Sequence, residues 1–203
     1  MTIFCVGRNY EEHINELLNI KPKVPIIFMK NGNAVLKDNK SFYYPQFSKD
    51  IHYEVEFVLR LGKKGKHIQP QFAENYISHI TIGIDFTARD IQTNCKNNGL
   101  PWEIAKAFDH SAVIGELIPF NKNIKDHDFK FSLLQNNKTV QTGHTKDMIF
   151  NCTEILVYLS QFFTLNVGDY IFTGTPSGVG KINIGDVLQG FLGEQKMFEC
   201  PIK

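Results

Sequence analysis

The chain has 203 residues, a length that fits one domain with at most a small appendage. Its residues are 42% hydrophobic and 21% charged, an ordinary globular balance that argues against wholesale disorder. A formal net charge of +1 gives no field to draw the chain to nucleic acid or a membrane surface, and no apolar run reaches the roughly 20 residues that cross a bilayer.

Met1 to Val6 reads as a short strand entering a turn at Gly7. Tyr10 to Leu18 has helical spacing, with Tyr10, Ile14, Leu17 and Leu18 apolar on one side, and Pro22 and Pro25 end it. Ile26 to Met29 reads as a strand, and Asn39 to Pro45 as either an edge strand or a loop. Tyr53 to Leu61 is the clearest strand, with Tyr53, Val55, Phe57, Leu59 and Leu61 apolar at every second position. The pattern predicts a helix over Phe72 to His79, then a strand from His79 to Phe86 broken at Gly83. It next predicts a polar helix over Thr87 to Asn98 and a loop from Gly99 to Trp102. Phe129 to Leu134 and Lys138 to Thr142 read as a hairpin around Asn136-Asn137. Asn151 to Leu165 reads as a helix capped by Asn151, with Glu154 three residues on and an apolar stripe of Ile155, Leu159, Phe162 and Phe163. Strands at Tyr170 to Thr173 and Val187 to Leu192 follow glycine-aspartate turns. Strands outnumber helices and the two do not alternate strictly, so the expected class is α+β with an antiparallel or mixed sheet system, in a single domain spanning 1–203.

Cys5, Cys95, Cys152 and Cys200 are far apart and form no CxxC pair, which argues against a structural zinc site. They read as free thiols in a reducing cytoplasm, and no signal peptide is evident at the N-terminus.

Chemistry concentrates in four places. His52, Glu54 and Glu56 alternate along a strand whose other face is apolar, so strand geometry puts all three on one face, roughly 7 Å between successive side chains. Two such carboxylates can converge on one hard cation, with oxygen donors favouring Mg²⁺, Mn²⁺ or Ca²⁺ over zinc; the same pattern also describes a solvated strand face. Asp85 ends an apolar strand, where a buried acid needs a partner. Either Arg89 supplies an ion pair, or Asp85 is a third ligand with Arg89 and Gln92 reading an anionic substrate. Lys106 stands between Ala105, Ala107 and Phe108, as a surface lysine or as one aimed into a cleft to hold a carboxylate or enolate. Thr173-Gly174-Thr175-Pro176-Ser177-Gly178-Val179-Gly180 follows a strand and is not a Walker loop; its glycines permit tight turns, so that Thr175 and backbone N–H groups can face a carboxylate.

Taken together these segments resemble the fumarylacetoacetate hydrolase family, and most of all its short members of the acylpyruvase and oxaloacetate decarboxylase type. The matching stretches are VGRNYEEH, HYEVEF, GIDFTARDIQ, KNNGLPWEIAKAFD, MIF at 148–150 and IFTGTPSGVG, in the family's order over nearly the whole chain. The resemblance implies a mixed β-rich roll or sandwich with flanking helices, a homodimer, and Mg²⁺ with Mn²⁺ or Ca²⁺ as alternatives. It implies Glu54, Glu56 and Asp85 as metal ligands, Arg89, Gln92 and Thr175 as substrate-binding residues, and Lys106 as a catalytic residue. It also implies a lid helix within residues 1–25 carrying a His13–Glu16 dyad. Positions i and i+3 share a helix face, so these two can meet, and a carboxylate bonded to imidazole fixes its tautomer as a base. Where family members read Phe-Leu/Met-Lys-Pro, this chain has Phe28-Met29-Lys30-Asn31, a change beside the expected pocket.

The expected substrate is a small 2-oxo acid, with metal and Lys106 stabilising an enolate as it develops. Acylpyruvate hydrolysis, with His13 and Glu16 activating water, leads this expectation. Oxaloacetate decarboxylation and a tautomerase or isomerase reaction share the same enolate. A non-catalytic dicarboxylate binder would keep the three acids without needing a lid base, so His13 and Glu16 argue against it.

Overall fold

The computed structural model describes residues 1–17, 20–37, 39–121 and 128–203. Strand β1 (Ile3–Gly7) leads into helix α1 (Glu11–Glu16), then β2 (Ile26–Lys30) and β3 (Val35–Leu36). Next come β4 (Ile51–Tyr53), β5 (Val55–Leu61), β6 (Ile77–Asp85) and β7 (Thr87–Ala88), followed by α2 (Arg89–Asn98) and α3 (Glu103–Lys106). Strands β8 (Ala112–Ile114), β9 (Ile118–Pro119), β10 (Lys130–Gln135) and β11 (Lys138–His144) precede helix α4 (Cys152–Phe162). The chain ends with β12 (Tyr170–Phe172), β13 (Gly180–Lys181), β14 (Val187–Leu192) and β15 (Gln195–Pro201). Among the described residues no helix is long and apolar enough to cross a membrane.

The largest sheet runs β2-β1-β12-β5-β6-β8-β3, with β9 beside β6; a four-stranded sheet runs β11-β10-β14-β15 and a short one β13-β4-β7. Pairing is mixed: β1 is parallel to β12 and antiparallel to β2, while β5 is antiparallel to both β12 and β6. This is the β-rich α+β architecture expected from the pattern.

The large sheet is buried on both faces. Phe4 and Val6 of β1 join the main core with Val55, Phe57, Leu59 and Leu61 of β5 and Ile155, Leu156 and Leu159 of α4. Ile3 and Cys5 of β1 face a second cluster with Val58, Tyr170, Phe172 and Ile114. Burial on two sides explains why β1 and β12 read as continuous apolar runs rather than alternating ones. Glu56 shares the side of β5 that carries Val58, and both Glu54 and Glu56 are buried, so the solvated-face reading does not hold.

Several elements differ from the sequence pattern, each for a local reason. Residues Pro70–Tyr76 form 3₁₀ turns, and the expected helix over Phe72 to His79 is absent because Ile77 already pairs with Leu61 at the start of β6. Gly83 does not break its strand; it pairs with Glu56 on one side and Ile114 on the other. The strand over Tyr53 to Leu61 is instead interrupted at Glu54, and Val55 N donates to Gln141 Oε1 (2.9 Å) instead of to a neighbouring strand. The helix expected from Thr87 starts at Arg89, because Thr87 and Ala88 pair with β4. The first helix ends at Glu16, and Leu18 lies outside the described residues. Between Asn39 and Pro45 the chain is a loop tied by one bridge, Phe42 to Ile202.

Two turn readings hold in detail. Asn136 and Asn137 both have left-handed backbones (φ 52° and 65°), as a two-residue hairpin with the sheet's twist requires. Asn151 Oδ1 accepts from Glu154 N (3.0 Å) while Glu154 Oε2 accepts from Asn151 N (2.8 Å), a complete capping box on α4. All four cysteines are buried free thiols.

Candidate active site

Three buried carboxylates converge at the end of the β5–β6 pair. Each of Glu54, Glu56 and Asp85 offers an oxygen lying within 4.8 Å of the other two. Glu54 sits in the gap between β4 and β5, and its carbonyl accepts from Asp85 N (2.8 Å), which locks the two acids side by side. Glu56 lies directly opposite Gly83. A side chain at Gly83 would meet Val113 O at 2.4 Å and the Phe172 ring at 2.9 Å, so this register needs glycine.

Cations surround the acids. Lys106, carried on α3, places Nζ 2.6 Å from each of Glu54 Oε2, Asp85 Oδ2 and Thr87 Oγ1. Arg89 Nη2 is 2.5 Å from Glu54 Oε1, and its Nη1 donates to Gln92 Oε1 (2.6 Å). Arg89 therefore pairs with Glu54 and not with Asp85. Asp85 Oδ1 is instead 2.6 Å from Lys30 Nζ at the end of β2. Lys30 is itself fully buried and donates to Ser111 O and Oγ (both 2.9 Å) and Phe86 O (3.3 Å).

These neighbours split the carboxylates electrostatically. Burial works against ionising Glu54, but Lys106 and Arg89 outweigh it and hold its carboxyl far below the usual carboxylate range. Among the described residues Glu56 receives only the Gly174 N–H (2.7 Å) as a close donor. Burial, then Asp85, raises its carboxyl well above the usual range. Burial lowers Lys106 while Asp85 and Glu54 raise it, and the net effect is upward. A hard divalent cation among these oxygens fits the donor set, because it would remove the repulsion that lifts Glu56.

The loop after β12 closes the site from the other side. Gly174 has φ +107°, and a Cβ there would meet Asn9 Cβ at 2.7 Å. Asn9 is buried and stitches this loop to the start of the chain: it donates to Phe150 O (2.9 Å) and Thr173 O (2.7 Å) and accepts from Phe150 N (2.7 Å). Thr175 Oγ1 accepts from Gln141 Nε2 (2.9 Å), and Gln141 also donates to Pro176 O (3.0 Å).

Helix α1 covers this loop. His13 Nδ1 is 3.0 Å from Glu16 Oε2, while Glu16 Oε1 accepts from Gly178 N (3.0 Å) and Glu12 Oε2 from Ser177 Oγ (3.1 Å). His13, Glu54, Glu56, Asp85, Arg89, Gln92, Lys106 and Thr175 all line one pocket, and Glu16 stands behind His13. The structure thus brings every expected ligand, catalytic and substrate-binding residue to one place, whereas His52 pairs with Asp50 (3.2 Å) and does not line the pocket. Sequence reasoning missed Lys30 and Gln141. Lys30 carried a weak signal, a lone lysine ending an apolar strand; Gln141 carried none. Asn31 caps a 3₁₀ turn by accepting from Asn33 N (2.8 Å).

The sequence profile of the fumarylacetoacetate (FAA) hydrolase C-terminal domain matches residues 2–199. The chain belongs to the fumarylacetoacetate hydrolase family. The mitochondrial oxaloacetate tautomerase of Caenorhabditis elegans is 42% identical over 187 residues, 92% of this chain and 87% of that protein. The fumarylpyruvate hydrolase of Pseudomonas aeruginosa, solved with Mn²⁺ and pyruvate, is 34% identical with a TM-score of 0.93, covering 100% of this chain and 89% of that one. A 2-hydroxyhepta-2,4-diene-1,7-dioate isomerase from Mycobacterium marinum is 30% identical with a TM-score of 0.85, covering 99% and 73% respectively. These relatives and neighbours support enzyme status for this member of the fumarylacetoacetate hydrolase family.

Proposed function

We propose that this family member is a divalent-metal-dependent enzyme that carries small 2-oxo acids through an enolate, with keto–enol tautomerisation of oxaloacetate as its main reaction. The observation that carries this is the meeting, in one pocket, of three buried carboxylates, a buried lysine and a histidine held by a glutamate. The oxaloacetate tautomerase relative favours tautomerisation over the other enolate reactions.

Glu54, Glu56 and Asp85 would hold the cation, with Mg²⁺ or Mn²⁺ suited to an all-oxygen site. Such an ion supplies Lewis-acid polarisation of the substrate carbonyl. The protein's own groups supply the rest. Lys106 and Arg89 keep positive charge beside the oxygens where negative charge develops, and they do so already oriented. Glu16 accepts from His13 Nδ1–H, which leaves the Nε2 lone pair to take a proton from the carbon next to the keto group and return it to the oxygen or carbon on the other side of the equilibrium. Thr175 and Gln92 present polar groups to the substrate carboxylate.

A second reading, C–C hydrolysis of an acylpyruvate, is favoured by the fumarylpyruvate hydrolase neighbour and uses the same base to activate water. One assay separates the two. The enol absorbance of oxaloacetate is followed with Mg²⁺, with Mn²⁺ and with chelator, alongside pyruvate release from acetylpyruvate and fumarylpyruvate. The proposal expects metal-dependent enol decay that exceeds pyruvate release. Metal-independent decay, or pyruvate release without tautomerisation, would overturn it.

A further inference from the structure

Gln141 stands just behind the pocket, bonded to Thr175 of its wall, and has no task in the scheme above. It comes from β11 in the four-stranded sheet, and a β-bulge turns it inward. Leu133 pairs with Gln141 and Leu134 with Thr139, so Val140 is the extra residue. Strand side chains alternate, and without the bulge Thr139 and Gln141 would share a face; with it Thr139 is exposed and Gln141 is buried. The loop after β12 lies tight against this bulge. A Cβ on Gly178, at φ +94°, would meet Val140 O at 2.5 Å.

The amide of Gln141 fits only one way round. Val55 N–H is a donor and Pro176 O an acceptor, so Oε1 must face the first (2.9 Å) and Nε2 the second (3.0 Å). The other Nε2 proton is then directed at Thr175 Oγ1 (2.9 Å), and that oxygen has to accept it. A hydroxyl that accepts on one side keeps its own proton for a different partner. Among the described residues no acceptor takes the Thr175 proton, and Thr175, though buried, lines the pocket.

We propose that Gln141 is a positioning residue that fixes the polarity of Thr175, so that the hydroxyl enters the pocket as a donor to a carboxylate oxygen of the substrate. This rests on the contact between Thr175 and the substrate carboxylate in the reading above. A donor already turned toward the place of the anion costs no reorganisation when the anion arrives. Without the amide the hydroxyl rotor is free, and Pro176 O has lost a donor. The same amide ties Val55, which lies between Glu54 and Glu56, to the loop carrying Thr175, so the strand of the acids and the hydroxyl keep one spacing.

The test is a double-mutant cycle with Gln141→Met and Gln141→Leu, each alone and combined with Thr175→Val. Both Gln141 replacements fill similar space without a donor, and the Met sulfur still offers Val55 N a weak acceptor. Titration calorimetry follows oxalate, which cannot enolise, binding to protein saturated with Mg²⁺, and thermal unfolding confirms that each sample is folded. We expect each Gln141 variant, and Thr175→Val, to weaken oxalate binding by roughly tenfold. Each double variant should bind no more than about twofold more weakly than Thr175→Val alone, because Gln141 acts through the hydroxyl. On oxaloacetate the loss falls on KM more than on kcat. Losses that multiply to about a hundredfold, or unaltered oxalate affinity in the Gln141 variants, overturn the proposal and leave the 2-oxo acid reading standing. Unaltered affinity in Thr175→Val sinks the Thr175 contact of that reading, and the role of Gln141 with it.

Discussion

Lys30 Nζ lies 2.6 Å from Asp85 Oδ1, and neither side chain has any surface open to solvent. Lys30 meets this member of the acidic cluster as an ion pair, while its N–H groups donate to Ser111 O, Ser111 Oγ and Phe86 O. Asp85 therefore has one oxygen held by Lys30 and the other, Oδ2, turned toward Lys106 and the two glutamates. Removing Lys30 leaves a buried carboxylate short of a counter-charge, a change that costs about 3 kcal/mol or more. We expect Lys30→Met to lower the urea midpoint accordingly and to weaken Mg²⁺ binding. A variant as stable as the unaltered protein, with the same metal affinity, would show that Asp85 needs no support from β2.

Glu56 gives the site its pH behaviour. Its carboxyl is raised, by burial and then by Asp85, so the folded protein without metal binds a proton there more tightly than the unfolded chain does. Its contribution to stability is therefore fully present below the ordinary carboxylate pKa and declines as pH rises toward the raised value. Glu54 runs the other way: its carboxyl is depressed, so its contribution is present above the ordinary carboxylate pKa and is lost as pH falls. A cation must displace the proton from Glu56. Metal affinity should then rise with pH, and calorimetry in buffers of different ionisation enthalpy should detect proton release. Glu56→Gln should abolish that release together with most of the binding. Metal uptake with no proton release would contradict the assignment of Glu56 as a ligand.

Gly83 tests the register that aims Glu56. A methyl group there would press on the Val113 carbonyl at 2.4 Å, and backbone in the middle of a sheet cannot swing aside as a side chain does. Gly83→Ala should lower stability by about 1–3 kcal/mol through overpacking and should weaken metal binding by tilting β5 against β6. Thermal unfolding and metal titration of the same sample check both parts. A loss of stability with unaltered metal affinity would show that Glu56 does not depend on this contact.

How much of this was legible beforehand follows from the range of each interaction. The alternation of Val55, Phe57, Leu59 and Leu61 is local, and it correctly turns Glu56 away from these residues; the same spacing does not show the break at Glu54 between two strands. The capping box at Asn151 and the turn at Asn136-Asn137 are also local, and both appear as read. Whether the glutamate face was wet or dry depends on what lies over it, and local spacing carries no such information. The Lys30–Asp85 pair and the Gln141 bridge join elements distant in sequence, so no window of residues displays them. Phe72 to His79 misled for the opposite reason: its helical spacing is real, but pairing of Ile77 with Leu61 outweighs a weak local preference.

Glu16 holds two donors at once, His13 Nδ1 through Oε2 and Gly178 N through Oε1. A carboxylate can serve both because each oxygen accepts, whereas the amide of glutamine offers one accepting oxygen. In Glu16→Gln, either the imidazole loses the partner that fixes its tautomer or α1 loses one of its ties to the loop carrying Thr175. Base catalysis by a misoriented histidine falls by roughly 10²-fold or more. We expect kcat for oxaloacetate tautomerisation to drop by about that factor in Glu16→Gln, and further in His13→Ala, with stability nearly unchanged because α1 is short and half-exposed. Mg²⁺ affinity should stay the same in both variants, since neither residue touches the acidic cluster. If His13→Ala keeps full activity with metal bound, the proton is moved by another group and α1 serves only as a cover.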